Sequence, residues 1–151
     1  MKVKETNFDQ KKDLIKDYIK AESLKQSKER ILRNDLLSIQ YKIEHYIESD
    51  VAEPEKLLKA LDFIKMYLKV LNITKKDLAK HFDMHDSNLH KYLSGERKLS
   101  VQLVMKLSKF THTDPEYWFR IQIKNELLEL KKESEKIKDY AKYDYRYLVE
   151  N

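Results

Sequence analysis

The stretch that decides the fold runs from Thr74 to Gly95 and reads TKKDLAKHFDMHDSNLHKYLSG. Thr74 is a suitable N-cap for a first short helix over Lys75–Phe82, because its hydroxyl can accept from a free backbone N–H. The three residues 83–85 form a joint, and a second short helix follows over Asp86–Leu93. This spacing predicts two short helices joined by a tight turn.

Two helices joined in this way place demands on particular positions. A small residue is needed where the helices cross, and Ala79 stands there. The turn needs a residue that tolerates positive φ, and this chain has Asp83, which enters that region more easily than most residues. Leu89 falls where the second helix must bury an apolar side chain against Leu78 and Phe82. The stretch meets the requirements of a helix-turn-helix.

The composition predicts an all-α fold for the whole chain. One glycine, two prolines and no cysteine occur among 151 residues. Sandwiches, barrels and doubly wound α/β folds need many tight turns. A chain with so few turn-forming residues is not expected to adopt any of these folds. The single Gly95 excludes a glycine-rich phosphate loop, and the lack of cysteine excludes disulfides and thiolate metal sites.

The first fifty residues carry two apolar stripes at helical spacing. The first consists of Phe8, Ile15, Tyr18 and Ile19, and the second of Leu32, Leu36, Ile39, Ile43, Tyr46 and Ile47. They predict two amphipathic helices or one long broken helix, with polar residues 25–30 between the stripes and Ser27 as a cap of the second helix. The second stripe needs a partner surface, either the core of this chain or a second chain.

Three further helices are predicted over residues 54–72, 101–110 and 115–137. Their starts are Pro54, Ser100 as an N-cap, and the pair Asp114-Pro115, and Asn72 suits a left-handed helix end. Trp118 lies at helical spacing beside Ile121, which favours a core position over base stacking. The tyrosine-rich end, residues 139–151, alternates like a strand edge, although fraying or loose docking fits a short terminus better.

The charge divides the chain into three segments with expected boundaries at 1–53, 54–124 and 125–151. The first has net charge zero, the middle carries 14 basic and 8 acidic side chains, and the last is net negative by one. Excess positive charge in the middle indicates a polyanionic partner, of which nucleic acid is the commonest. Solvated helix faces are the plainer explanation of the same charge.

Residues 73–80, 84–89 and 93–100 together resemble the XRE-type helix-turn-helix of phage repressors and Cro. Residues 113–122, TDPEYWFRIQ, resemble the segment that follows this motif in HigA-type antitoxins, and Pro54–Leu57 stands where those proteins carry a proline-led entry to their first helix. The resemblance covers about residues 54–130. It implies a five-helix, λ-repressor-like DNA-binding domain with an N-terminal helical arm for dimerisation or partner binding and a C-terminal helical extension.

In such domains the start of the third helix reads base edges in the major groove. The resemblance assigns this role, by position, to His85, Asp86, Ser87, Asn88, His90 and Lys91. Asn88 suits adenine and Lys91 suits guanine, whereas Asp86 either accepts from cytosine or only favours the positive start of its helix. The structural positions of the motif are Ala79, Asp83 and Leu89. Three cations are expected to contact phosphates: Lys75, Arg97 and Lys98.

The resemblance therefore implies a transcriptional regulator, a repressor that binds double-stranded DNA as a homodimer. A HigA-like antitoxin would also bind a cognate toxin protein. The alternative is a protein-interaction module that uses the helical fold as a scaffold without binding DNA.

Other function classes find little support in the sequence. His81 and His85 are four residues apart, but the turn separates them and no further ligand completes a zinc shell, so we expect no metal, cofactor or enzymatic activity. No apolar run approaches ~18 residues, so we expect no signal peptide and no membrane span. These expectations place the protein in the cytoplasm.

Overall fold

The computed structural model describes residues 2–49 and 57–150, and these ranges are helical without any strand. The chain divides into two compact units, Met1–Leu37 and Ser38–Asn151. The helices are α1 Lys2–Glu48, α2 Ala60–Leu71, α3 Lys75–His81, α4 Asp86–Leu93, α5 Val101–Thr111, α6 Pro115–Lys131, α7 Ser134–Tyr140 and α8 Arg146–Val149, with a 3₁₀ turn at Ala141–Tyr143. The predicted all-α class is confirmed. No helix in the described ranges is long and apolar enough to cross a bilayer.

The N-terminal helix α1 is continuous, so the predicted break at residues 25–30 and the predicted cap at Ser27 are wrong. The segment 25–30 consists of Lys, Gln, Ser, Glu and Arg, most of which are strong helix formers, and it contains neither glycine nor proline. Its polar composition interrupts the apolar stripe without interrupting the helical hydrogen bonds.

In the first unit, the side chains of the first apolar stripe of α1 are exposed. We call Phe8, Ile15, Tyr18 and Ile19 the N-terminal stripe, and their exposed fractions are 67%, 59%, 67% and 60%. Isolated helices gain most of their stability from packing an amphipathic face. The stripe is therefore apolar surface available to a partner.

In the second unit, the end of α1 belongs to the core. Ile39, Ile43 and Tyr46 are buried, so this part of the second stripe uses the chain's own core as its partner surface. The Tyr46 hydroxyl donates to Asn125 Oδ1 at 2.5 Å and accepts from the backbone N–H of Leu58 at 3.1 Å. Burial raises the pKa of Tyr46. These bonds attach the end of α1 to α6 and to the segment that precedes α2.

Helices α2 to α6 enclose the rest of the core. Its largest fully buried side chains include Phe63, Ile64, Tyr67, Leu78, Leu89, Leu93, Leu107, Trp118 and Ile121. The indole N–H of Trp118 donates to Thr113 Oγ1 at 3.1 Å, so its polar atom is satisfied inside the protein. The prediction that Trp118 is a core residue is confirmed.

The predicted caps of α5 and α6 are confirmed. Ser100 Oγ accepts from the backbone N–H of Leu103 at 3.2 Å. Asp114 accepts from the backbone N–H of Glu116 at 2.9 Å, and Pro115 is the first residue of α6. These side chains satisfy helix N–H groups that lack a partner within the helix.

Two predicted helix boundaries differ from the structure. Helix α2 begins at Ala60, so the helix expected from Pro54 is wrong at residues 57–59, while Pro54 itself lies outside the described residues. Here Asp62 accepts from the backbone N–H of Lys59 at 2.8 Å and provides the start. At the other end of α2, Asn72 has φ 55°, as predicted.

Helix α6 ends at Lys131 rather than at residue 137. Leu128 is the last buried residue of the described chain, so the polar residues after it have no core to pack against. The tyrosines of the C-terminal segment form no strand: they lie in and around a 3₁₀ turn and α8, and Tyr140, Tyr143, Tyr145 and Tyr147 are exposed.

Candidate nucleic-acid interface

Helix α3 starts with a reciprocal capping box. Thr74 Oγ1 accepts from the backbone N–H of Asp77 at 3.1 Å, and the Asp77 carboxylate accepts from the backbone N–H of Thr74 at 3.2 Å. These hydrogen bonds favour the ionised carboxylate and lower the pKa of Asp77. The predicted N-cap at Thr74 is confirmed.

The turn after α3 is fixed by backbone geometry and by a lysine. Asp83 has φ 56°, the left-handed conformation, and the backbone N–H of Met84 donates to the Ala79 carbonyl at 2.8 Å. The Lys106 ammonium of α5 donates to the Phe82 carbonyl at 2.5 Å. The turn therefore holds the start of α4 in a defined direction.

Helix α4 is anchored by one face, packing against α2 and α3. Leu89 and Leu93, four residues apart, are fully buried, and so are Leu78 and Ala79 of α3. Residues on the opposite side of a helix face away from such an anchor. The predicted base-reading residues lie accordingly: His85, Asp86, Ser87 and His90 are exposed, and Asn88 and Lys91 are partly exposed.

Part of this outward edge lines an open depression of about 500 Å³. His85 and Asn88 line it together with Arg97, so the structure brings one predicted phosphate contact beside two predicted base readers. Lys80 and Tyr92 also line it, and the sequence reasoning missed both. The Arg97 guanidinium lies 6.0 Å from the centre of the Tyr92 ring. The sequence signal that could have identified Lys80 is its position in the last turn of α3, next to the turn that leads into α4.

Two of the other predicted base-reading residues, His90 and Asp86, lie close to Lys75. Its ammonium lies 2.9 Å from His90 Nδ1 and 3.8 Å from Asp86 Oδ1. Asp86 is also the first residue of α4, so it has both a cationic partner and a favourable place at a helix start. Lys98 is exposed, and its ammonium lies 4.0 Å from the Glu126 carboxylate.

Of the pair His81 and His85, the ring of His81 lies among aromatic side chains. The His81 ring packs near Phe82 and Phe110, at centroid distances of 6.1 and 6.4 Å. In the described part of the chain, no three His, Cys, Asp or Glu side chains are arranged to hold a metal ion. The arrangement instead presents hydrogen-bonding groups and cations along one exposed helix edge.

Comparison with known proteins agrees with this geometry. Residues 64–118 match the helix-turn-helix family model. The chain is 38% identical over 65 residues to virulence-associated protein A' of Dichelobacter nodosus, covering 42% of this chain and 56% of that protein. It is 27% identical over 64 residues to a protein of Haemophilus influenzae named as an uncharacterized HTH-type transcriptional regulator, covering 42% of this chain and 60% of that protein.

The matched region spans less than two thirds of either relative. No solved structure matches the chain. The matched residues 64–118 contain α3, the Asp83 turn and α4 in full. These residues form a helix-turn-helix domain of the XRE type, the domain of DNA-binding regulators.

Proposed function

We propose that this chain is a sequence-specific transcriptional regulator that inserts α4 into the major groove of double-stranded DNA. The observation that supports this most directly is the direction of α4: Leu89 and Leu93 are buried, while its polar edge faces outward. A major groove about 12 Å wide admits one helix. Such a role places the protein in the cytoplasm with the DNA.

Base reading in this proposal belongs to His85, Asp86, Ser87, Asn88, His90 and Lys91. Asn88 bonds adenine at N6 and N7, Lys91 donates to guanine O6 or N7, and Asp86 accepts from cytosine N4. Lys75, Arg97 and Lys98 neutralise phosphates and so fix the position of α4 on the duplex, and a phosphate contact by itself carries no sequence information.

The regulator acts as a homodimeric repressor in this proposal. A single α4 offers few base contacts, and proteins of this kind pair across half-sites about 34 Å apart. The exposed N-terminal stripe supplies apolar surface for pairing with a second copy. A dimer bound at such a site prevents other proteins from binding the same DNA, which is how it would act as a repressor.

The resemblance of residues 113–122 to HigA-type antitoxins supports a more specific role. In that role the protein also binds a toxin that cleaves mRNA and represses its own operon. The test is co-purification with the product of the neighbouring reading frame, which should be a small basic protein. An unrelated neighbour with no co-purifying protein would leave a free-standing repressor.

One observation favours a second candidate, a protein-interaction module without DNA binding: the N-terminal stripe is apolar and exposed. Such a module would use the helix-turn-helix as a scaffold. It predicts no sequence-specific DNA binding at any salt concentration.

Binding to the DNA upstream of the protein's own gene separates the candidates. If each subunit neutralises about six phosphates, log K should fall against log salt with a slope near −5 for each bound subunit. We expect Lys91→Ala to weaken binding and relax sequence preference, whereas Lys98→Ala should weaken all sequences alike. Lys138→Ala, at an exposed residue of α7, is the control and should change neither. Absence of specific binding by the unmodified protein would refute the proposal.

A further inference from the structure

Lys75 makes contacts that a phosphate-binding role does not require. It is the first residue of α3, yet its ammonium is directed to α4, 2.9 Å from His90 Nδ1. An ammonium group has three N–H donors and no acceptor. Because Lys75 can only donate, Nδ1 of His90 must accept in this hydrogen bond.

This hydrogen bond determines where the His90 proton lies. A neutral imidazole carries one N–H, and the hydrogen bond made by one ring nitrogen decides which nitrogen carries it. With Nδ1 accepting from Lys75, the proton is on Nε2. The exposed ring of His90 therefore offers a donor, and no acceptor, to a neighbouring molecule.

Asp86 completes the arrangement. It lies four residues before His90 on the same face of α4, and its Oδ1 is 3.8 Å from the Lys75 ammonium. The carboxylate attracts the ammonium to the place from which it reaches His90.

We propose that Lys75 is a specificity-determining positioning residue, which fixes His90 as the Nε2–H tautomer and so restricts it to acceptor groups on DNA bases. The inference rests on the proposed DNA-binding function. In the major groove the acceptors are N7 and O6 of guanine, N7 of adenine and O4 of thymine, whereas the cytosine amino group is a donor. His90 therefore selects against cytosine at the base that it faces.

The tautomer is measured first, in the free protein. Nitrogen NMR of the full-length chain at about pH 8, where imidazoles are neutral, distinguishes protonated from unprotonated ring nitrogens. We expect unmodified protein, Lys75→Arg and the control Lys76→Met to show one His90 tautomer with Nε2 protonated. Lys75→Met should show a mixture of both tautomers. A mixture in the unmodified protein would overturn the inference without reference to DNA.

The consequence for DNA is measured by selecting sites from a randomised duplex pool. His90→Ala identifies the base pair that His90 faces, as the one whose preference disappears. We expect Lys75→Met to lose about tenfold in discrimination against cytosine at that base pair, which corresponds to one hydrogen-bonded contact, while Lys75→Arg and Lys76→Met retain it.

The outcomes keep the two proposals apart. If Lys75→Met weakens all sequences equally and keeps the discrimination, Lys75 is a phosphate contact only and the inference is wrong. If the unmodified protein selects no sequence, the DNA-binding function is refuted, and with it the role of Lys75 in specificity. The NMR result then still reports whether the Lys75–His90 hydrogen bond fixes the tautomer.

Discussion

Three non-glycine residues of the described chain have a left-handed backbone conformation: Asn72, Asp83 and His112, with φ of 55°, 56° and 56°. Each stands just after a helix, where glycine is the usual residue. A side chain with a Cβ pays a steric cost there, which Asn, Asp and His tolerate better than most residues. The connections after α2, α3 and α5 therefore use strained non-glycine residues, whereas the loop after α4 has Gly95 with φ 87°.

Asp83→Gly tests this strain at the turn between α3 and α4. Glycine adopts positive φ without a steric penalty, so we expect the free energy of unfolding to rise by about 1 kcal/mol. Urea denaturation followed by circular dichroism measures the change. The control Lys76→Gly, at an exposed position inside α3, should lower stability by about 1 kcal/mol. A stability loss in Asp83→Gly would mean that the aspartate side chain contributes more than its strain costs.

At the scale of the element, α3 depends on its capping box because it has only seven residues. Short helices are marginal without such support. Thr74→Ala removes the Oγ1 that accepts from the Asp77 N–H, and we expect a loss of about 1 kcal/mol in the free energy of unfolding. Thr74→Ser keeps a hydroxyl and should retain most of the stability. Equal losses in both variants would assign the effect to the threonine methyl group instead of the cap.

The helices that sequence reasoning placed well are those with local start and stop signals. Thr74, Ser100 and Asp114 act on N–H groups within three residues of themselves, so their effect is visible in the sequence. The end of α6 at Lys131 has no such signal, because it reflects the end of the core after Leu128. Boundaries set by packing depend on the folded chain and were predicted poorly.

The same distinction holds for the candidate interface. The exposed edge of α4 could be predicted, because Leu89 and its helical spacing identify the buried face. The pairing of Lys75 with Asp86 and His90 could not, because it depends on how α3 and α4 cross. The resemblance assigns Lys75 to a phosphate, and the structure shows that its ammonium lies beside His90 and Asp86. The roles of all these residues on DNA stay predictions.

At the scale of the whole molecule, the N-terminal stripe is apolar but contributes no buried side chain to the core. Its four side chains are each more than half exposed, and large apolar side chains clustered in water favour association. If the stripe joins two copies, Ile15→Glu/Ile19→Glu should convert a dimer into a monomer. Light scattering after size-exclusion chromatography measures the mass. DNA affinity should fall in the same variant, because the two subunits that bind the two half-sites are then no longer held together.

The matched control places the same two charges on other sides of α1. Gln10→Glu/Ser27→Glu adds two carboxylates at exposed polar positions and should leave the dimer intact. A monomeric unmodified protein would refute the homodimer. A dimer that survives Ile15→Glu/Ile19→Glu would move the pairing surface away from the stripe. In that case the exposed apolar residues Ile123 and Leu127 of α6 become the surface to test, because they lie four residues apart on one face.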